Sequence, residues 1–358
     1  MDKIPEFMKA VVLVGPDKLE VKDMPVPAPG PVDVLIKVES CALCSSDSAL
    51  IHSPFPGQPP YGNFIIGHEY SGTVVALGET VDEFKTGDRV TVEAHNGCGR
   101  CRNCRLGNYT GCLNFGNTAK GHRANGFTTN GGNAQYVINH INTVHKVGDN
   151  VSFDEASLAT NLGCVLYGFE TLGGFLVGDT VVIVGPGPLG LSAVQAARAL
   201  GAGKIILLGT RESRLKIAEQ TGADIIINTQ QEDPMEIIMR ETNGKGCDIA
   251  IESSGSESGL ALTIKATKKM GKILLLAFPH TPIATDFENL ALNNKHIFTV
   301  RGEGWANVGR SVSLLNRGAI NLKPLITHTF PLAEINEAFN TFNNRIGGAI
   351  KVISKPQE

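Results

Sequence analysis

No run of about 18 consecutive apolar residues, the length a bilayer-spanning helix requires, occurs in the sequence, so a helical membrane protein is excluded. Charge of either sign is scarce in excess. Against 35 acidic residues stand 32 Lys and Arg, a net −3, so there is no electrostatic footprint for nucleic acid or an anionic membrane surface. The opening "MDKIPEFMKAVVLVG" has no basic region followed by an apolar one, so no secretion signal is predicted and a cytoplasmic location is expected. Met1–Phe7 reads as a loose leader before the first strand. Repeats and low-complexity segments are also absent.

What the chain does have is cysteine in a telling place. Eight occur, at positions 41, 44, 98, 101, 104, 112, 164 and 247. Four fall within "CGRCRNCRLGNYTGC", and in a reducing compartment such a cluster points to metal ligation rather than disulfides. Cys98, Cys101, Cys104 and Cys112 can close a tetrathiolate with no open position, the way structural zinc is held; an iron–sulfur cluster uses the same donors, and a colourless protein favours zinc. Arg100, Arg102 and Arg105 can offset the net charge of about −2 that four thiolates leave on a divalent ion. Cys164 and Cys247 lie in apolar surroundings and are expected to be buried. A second candidate group is dispersed: Cys44 in "ESCALCSSDSAL", with His68 and Glu69 in "FIIGHEYSG". A thiolate and an imidazole from separate segments suit a catalytic metal with a position left open. The bland reading makes His68 a satisfied core histidine and Glu69 a salt-bridge partner.

At 358 residues two domains are expected. The first 150 residues carry short alternating runs ("KAVVLV", "DVLIKVES", "SGTVVALG", "DRVTVEAH", "AQYVIN") that predict a β-rich domain. From about Phe153 strand, glycine turn and amphipathic helix alternate, predicting βαβ units and a parallel sheet. After Lys295 strands return ("IFTVRGEG", "AIKVIS") around two helical stretches. Within the alternating region, "VVIVGPGPLGLSAVQAARALG" places Gly185, Gly187 and Gly190 as G-x-G-x-x-G, with Pro188 and Leu189 opening the helix. That pattern predicts dinucleotide binding at a helix N-terminus; its plain alternative is an ordinary strand-to-helix turn. The next strand ends in Gly209-Thr210-Arg211, where an Asp or Glu for the ribose is usual. A small residue, a hydroxyl and a guanidinium suit a 2′-phosphate, so NADP is preferred over NAD. The alternative leaves Arg211 solvated and gives the ribose to Glu212.

Taken together, "CSSD", "GHEYSGTVVALGETVDEFKTGDRV", the Cys98–Cys112 lobe, "GGNAQYV", "VGPGPLG", "RLKIAEQTGAD", "INEAFNTF" and "GGAIKV" resemble the zinc-dependent medium-chain dehydrogenases, nearest the sorbitol and threonine dehydrogenase branch. The resemblance implies an α/β fold. A discontinuous GroES-like catalytic domain (8–152 and 296–358) would hold a Rossmann cofactor domain (153–295), with the active site in the cleft and a homodimer or homotetramer as the assembly. It implies two zinc ions, one catalytic and one structural. Cys44 and His68 match catalytic ligands, Glu69 the acid that ligates or sits behind the metal, and Ser46 the hydroxyl that passes on the substrate proton. Two positions depart from the pattern. Asn161 stands where a Cys, Asp or Glu ligand is usual, so zinc is expected on Cys44, His68 and Glu69 with water, Asn161 contributing at most a carbonyl oxygen. Ala49 stands where a relay histidine is common, the nearest being His52. The implied reaction transfers a hydride between an alcohol, polyol or matching carbonyl compound and NADP(H). Alternatives are an NAD-dependent polyol or amino-alcohol dehydrogenase, a zinc-less quinone-type reductase, and a non-catalytic nucleotide- and zinc-binding sensor. "SPFPGQPPYGNF" (Ser53–Phe64) is expected to border the cleft.

Overall fold

The alternating runs of the first third pair as strands, with Val and Leu to bury. The computed structural model describes residues 3–279 and 281–358. One unit runs up to Thr160 and takes in Gly302–Gly318 and Ile326–Glu358; the other comprises Asn161–Arg301 and Ala319–Leu325. Of the expected leader, Met1 and Asp2 lie outside the described residues, and Phe7 already begins the first strand.

Among the described residues of the first unit, strand Asp33–Ala42 is central to a mixed sheet. Antiparallel neighbours are Glu69–Leu77 on one side and Lys351–Lys355 on the other, so Ala42 pairs with both Glu69 and Ile353. This register brings a C-terminal lysine to a residue 282 positions earlier in the chain. Phe7–Gly15 pairs separately with Lys18–Pro25 and Phe64–Ile65. The strand at Lys18–Pro25 was not among the expected runs, since its alternation is mostly polar. A core of Leu13, Leu43, Leu50, Ile66, Leu332 and Val352 fastens the ends of these strands. Leu43 and Ile66, both fully buried, sit one and two residues before Cys44 and His68. Each such side chain adds about 1.5–3 kcal/mol on burial, so the two candidate ligands leave rigid anchors.

Parallel pairing orders the second unit's strands Ile225–Asn228, Lys204–Gly209, Thr180–Val184, Cys247–Glu252, Thr267–Leu275 and His296–Thr299. Numbered along the chain this is the 3-2-1-4-5-6 order of a doubly wound nucleotide-binding sheet. Near-continuous apolar sequence such as "TVVIV" and "KIILL" follows from burial on both faces. His296–Thr299 is the outer strand of this sheet, so the unit continues past residue 295 to Arg301. A short apolar run carries no mark of which sheet it will join. Cys247 is buried as expected, but Cys164 is only half-buried. It lies on helix Ala159–Thr171, where successive side chains turn by about 100°, so apolar sequence neighbours do not guarantee an inward direction. Among the described residues no helix is long and apolar enough to cross a membrane.

Candidate functional site

Cys44 leaves the central strand as N-cap of helix Ser45–His52, with extended backbone. His68 and Glu69 lie at the start of the neighbouring strand Glu69–Leu77. One ligand atom from each of Cys44, His68 and Glu69 falls within 4.8 Å of the others. The helix's first turn also delivers Asp47, fully buried, whose two oxygens serve two groups. Oδ2 accepts the Cys44 backbone N–H at 3.0 Å, and Oδ1 stands 3.0 Å from His68 Nδ1. Nδ1–H donation to Asp47 leaves Nε2 as the lone-pair nitrogen, the second-shell arrangement that orients a metal-binding imidazole.

The charges of the group ask for a cation. Burial alone would lower the His68 pKa, but the charge and hydrogen bond of Asp47, with Cys44 beside it, hold it well above the ordinary histidine range. Positive charge is thus drawn to this point, and a divalent ion on a neutral imidazole supplies it equally well. Glu69, 2% exposed, is bonded through Oε2 by the ammonium of Lys351, itself 1% exposed. Lys351 also donates to the Leu43 carbonyl at 3.2 Å. Burial works against that ammonium, yet Glu69 and Cys44 keep its pKa above the usual lysine value. A thiolate, an imidazole and a carboxylate within reach of one another fit a catalytic zinc.

Ser46 is exposed, its Oγ 3.6 Å from Cys44 Sγ. His52 lies at the far end of the same helix, 3.1 Å from Asp17. Asn161, in the second unit, accepts a hydrogen bond from Ser192 Oγ at 3.1 Å through Oδ1. Phe127 packs 4.6 Å from the His68 ring, and Phe55, from the Ser53–Phe64 loop, packs 5.7 Å from Phe127. Asp47 and Lys351 were not singled out from the sequence, although each left a trace. Asp47 is an acid three residues after a cysteine at a helix start, and Lys351 a lone charge in an apolar strand.

The four lobe cysteines are free thiols whose sulfurs all lie within 4.8 Å of one another. Cys98 and Cys104 stand 3.9 Å apart. That is close to the edge of a tetrahedron built on zinc–sulfur bonds of about 2.3 Å, and far from a disulfide bond of about 2.05 Å. Backbone N–H groups of Cys101 and Cys104 point at Cys98 and Cys101 sulfurs at 3.4 Å, and Asn114 Nδ2 approaches Cys98 at 3.2 Å. Against burial, the Asn114 and backbone donors bring Cys98 down to about 6; burial and the neighbouring thiols push Cys104 up to about 12. Four sulfurs so close cannot all ionise without a cation among them, and their spacing fits zinc.

In the second unit, Gly185 follows strand Thr180–Val184 at φ +107, a conformation L side chains avoid. A Cβ on Gly190 would sit 1.9 Å from the Gly185 carbonyl oxygen, so only glycine lets helix Pro188–Ala199 start against the strand. Gly187 is that helix's N-cap, with Pro188 as its first residue and Leu189 following. Thr210 and Arg211 are exposed at the tip of the adjacent strand, Arg211 capping helix Glu212–Glu219. The narrow glycine turn, the helix start and the neighbouring guanidinium suit a dinucleotide's phosphates.

Comparison with known proteins agrees in both units. Residues 30–149 match the family model described as the alcohol dehydrogenase GroES-like domain, and residues 188–317 the one described as zinc-binding dehydrogenase. A sorbitol dehydrogenase of Halalkalibacterium halodurans is 33% identical over 356 residues, covering 98% of this chain and 99% of its own. An L-threonine 3-dehydrogenase of Bacillus licheniformis is 32% identical over 336 residues, 92% of this chain and 94% of its own. A Sinorhizobium meliloti chain solved bound to NADP superposes with TM-score 0.88 at 28% identity, over 98% of this chain and all of that one.

Proposed function

Because the chain belongs to the zinc-dependent medium-chain alcohol dehydrogenases, we propose that it transfers a hydride between the carbinol carbon of a small alcohol or polyol, or the matching carbonyl compound, and NADP(H). The observation that carries this reading is the convergence of Cys44, His68 and Glu69 on one point, with Asp47 behind His68. Zinc there would supply Lewis acidity toward the substrate oxygen, and NADP(H) would exchange the hydride.

The chain's own residues do the rest. Cys44, His68 and Glu69 would hold the ion, and Asp47, bonded to Nδ1, leaves His68 Nε2 as the nitrogen with a lone pair to offer. Lys351 donates to Oε2 of the buried Glu69 and holds that carboxylate in place. Ser46, exposed beside Cys44, accepts the substrate proton and returns it in the reverse direction. His52, at the far end of that helix, pairs with Asp17. Phe127 packs on the His68 ring, with Phe55 behind it. Cys98, Cys101, Cys104 and Cys112 hold the second, structural zinc. Gly185, Gly187, Pro188, Leu189 and Gly190 cradle the pyrophosphate, and Gly209, Thr210 and Arg211 receive the 2′-phosphate.

The names of the relatives support polyols and β-hydroxy amino acids as the first substrates to try. A homodimer or homotetramer is supported by the outer strand His296–Thr299, which exposes Ile297, and by Phe287 and Leu292 exposed on the preceding helix. The test is a panel of polyols, amino alcohols and carbonyl compounds with both cofactors, followed by nicotinamide absorbance. Chelator-sensitive turnover that is faster with NADP(H) is expected. Turnover that survives full removal of the metal bound by Cys44 would contradict the reading.

A further inference from the structure

We propose that Asn228 is a specificity latch for the cofactor, holding the Glu212 carboxylate away from the 2′-phosphate position; this rests on the NADP reading above. The argument begins with Gly209. A Cβ there would lie 2.5 Å from the Pro186 ring and 3.0 Å from Leu215, so no acid can stand at the strand tip where a ribose-binding carboxylate is usual. An acid close at hand is Glu212, exposed in the first turn of the helix that Arg211 caps. Left to swing, it would accept the ribose hydroxyls of NAD and repel the doubly charged phosphate of NADP, and it would compete for the same free N–H groups of the helix start.

The neighbouring strand prevents this. Asn228 pairs in register with Gly209 and is 8% exposed. Its Oδ1 accepts the Gln230 backbone N–H at 3.1 Å, which fixes which way the amide faces. The NH2 group is thereby turned toward Glu212 and donates to Oε2 at 3.4 Å. A carboxylate that could reach the ribose is tied instead to the third strand. Asn228 touches no cofactor; it is a positioning residue acting through Glu212.

The experiment measures dissociation constants of NADP+ and NAD+ by calorimetry for the full-length protein and three variants, with no turnover needed. In Asn228→Ala the preference for NADP+ should fall about tenfold, since one carboxylate is freed to approach a dianion. Asn228→Ala/Glu212→Gln should recover the wild-type ratio. Glu212→Gln alone should stay within about twofold of wild type, because the charge it removes is already held aside. An unchanged ratio in Asn228→Ala, no recovery in the double variant, or a large gain in NADP+ preference for Glu212→Gln would each overturn the latch. Should Asn228→Ala fail to fold, the Glu212→Gln result still decides. A wild type that prefers NAD+ would instead reject the cofactor reading, before any variant is compared.

Discussion

Asp47→Asn keeps the shape of a fully buried side chain and removes its charge. The aspartate now accepts the Cys44 N–H and faces His68 Nδ1, each at 3.0 Å. An amide has one acceptor and one donor end. Whichever way it turns, its NH2 opposes a buried N–H, at a cost of about 1–3 kcal/mol. If the oxygen faces Cys44, the imidazole loses the acceptor that sets its tautomer; if it faces His68, the N-cap of the ligand-bearing helix is strained. Either outcome weakens the ion's grip, and 1.4 kcal/mol being tenfold, the expected loss is about tenfold to a hundredfold in zinc affinity and in kcat/KM. The assay is competition with a coloured chelator, which should strip one zinc per chain more readily from the variant while the cysteine lobe keeps its own. Wild-type zinc retention together with wild-type turnover would refute the argument that Asp47 positions His68.

Three further outcomes follow from the same geometry. In the metal-free protein Lys351→Met leaves Glu69 buried without its ammonium partner, which costs about 3–5 kcal/mol and should lower Tm by about 10 °C, while Glu69→Gln/Lys351→Met should regain much of it; a Tm change below 2 °C in the single variant would count against a buried pair. Burial pushes His145 down from 6.5 to about 4. A depressed histidine contributes stability that is full above its unfolded pKa and is lost as pH falls toward the folded one, so urea stability should drop between pH 6.5 and 4 by up to about 3 kcal/mol, and His145→Gln should flatten that slope. Buried Glu93, raised well above 4.5 by burial and by Glu303, acts on the other side, contributing below 4.5 and fading as pH rises. Arg211→Gln should lower kcat/KM with NADP+ by about tenfold to a hundredfold and leave NAD+ nearly unchanged; equal losses with both would remove Arg211 from phosphate recognition.

Features that depend on local spacing could be read from the chain directly. The glycine turn, the four-cysteine lobe and the βαβ alternation each involve residues within a few positions of one another, so their chemistry is written in sequence order. The Cys44, His68 and Glu69 group spans about 25 residues; composition only hinted at it, and the family motifs drew it together. What could not be read depends on which strands pair. Lys351 meets Glu69 only because Ala42 lies between their strands, and Glu303 meets His95 at 3.1 Å across 208 positions. His296–Thr299 is a short strand like many others until its parallel neighbour is known. Asp47 was nearer to view, since an acid at the third position of a helix capped by a ligand reaches back to that cap.

The most direct test is a metal count on purified protein, paired with turnover. The account predicts two zinc ions per chain, one released quickly by a chelator with loss of all activity. Cys44→Ala should hold a single zinc and be inactive, and Cys104→Ser should lose the other. One zinc per chain in the wild type, unaffected by Cys44→Ala, would contradict it.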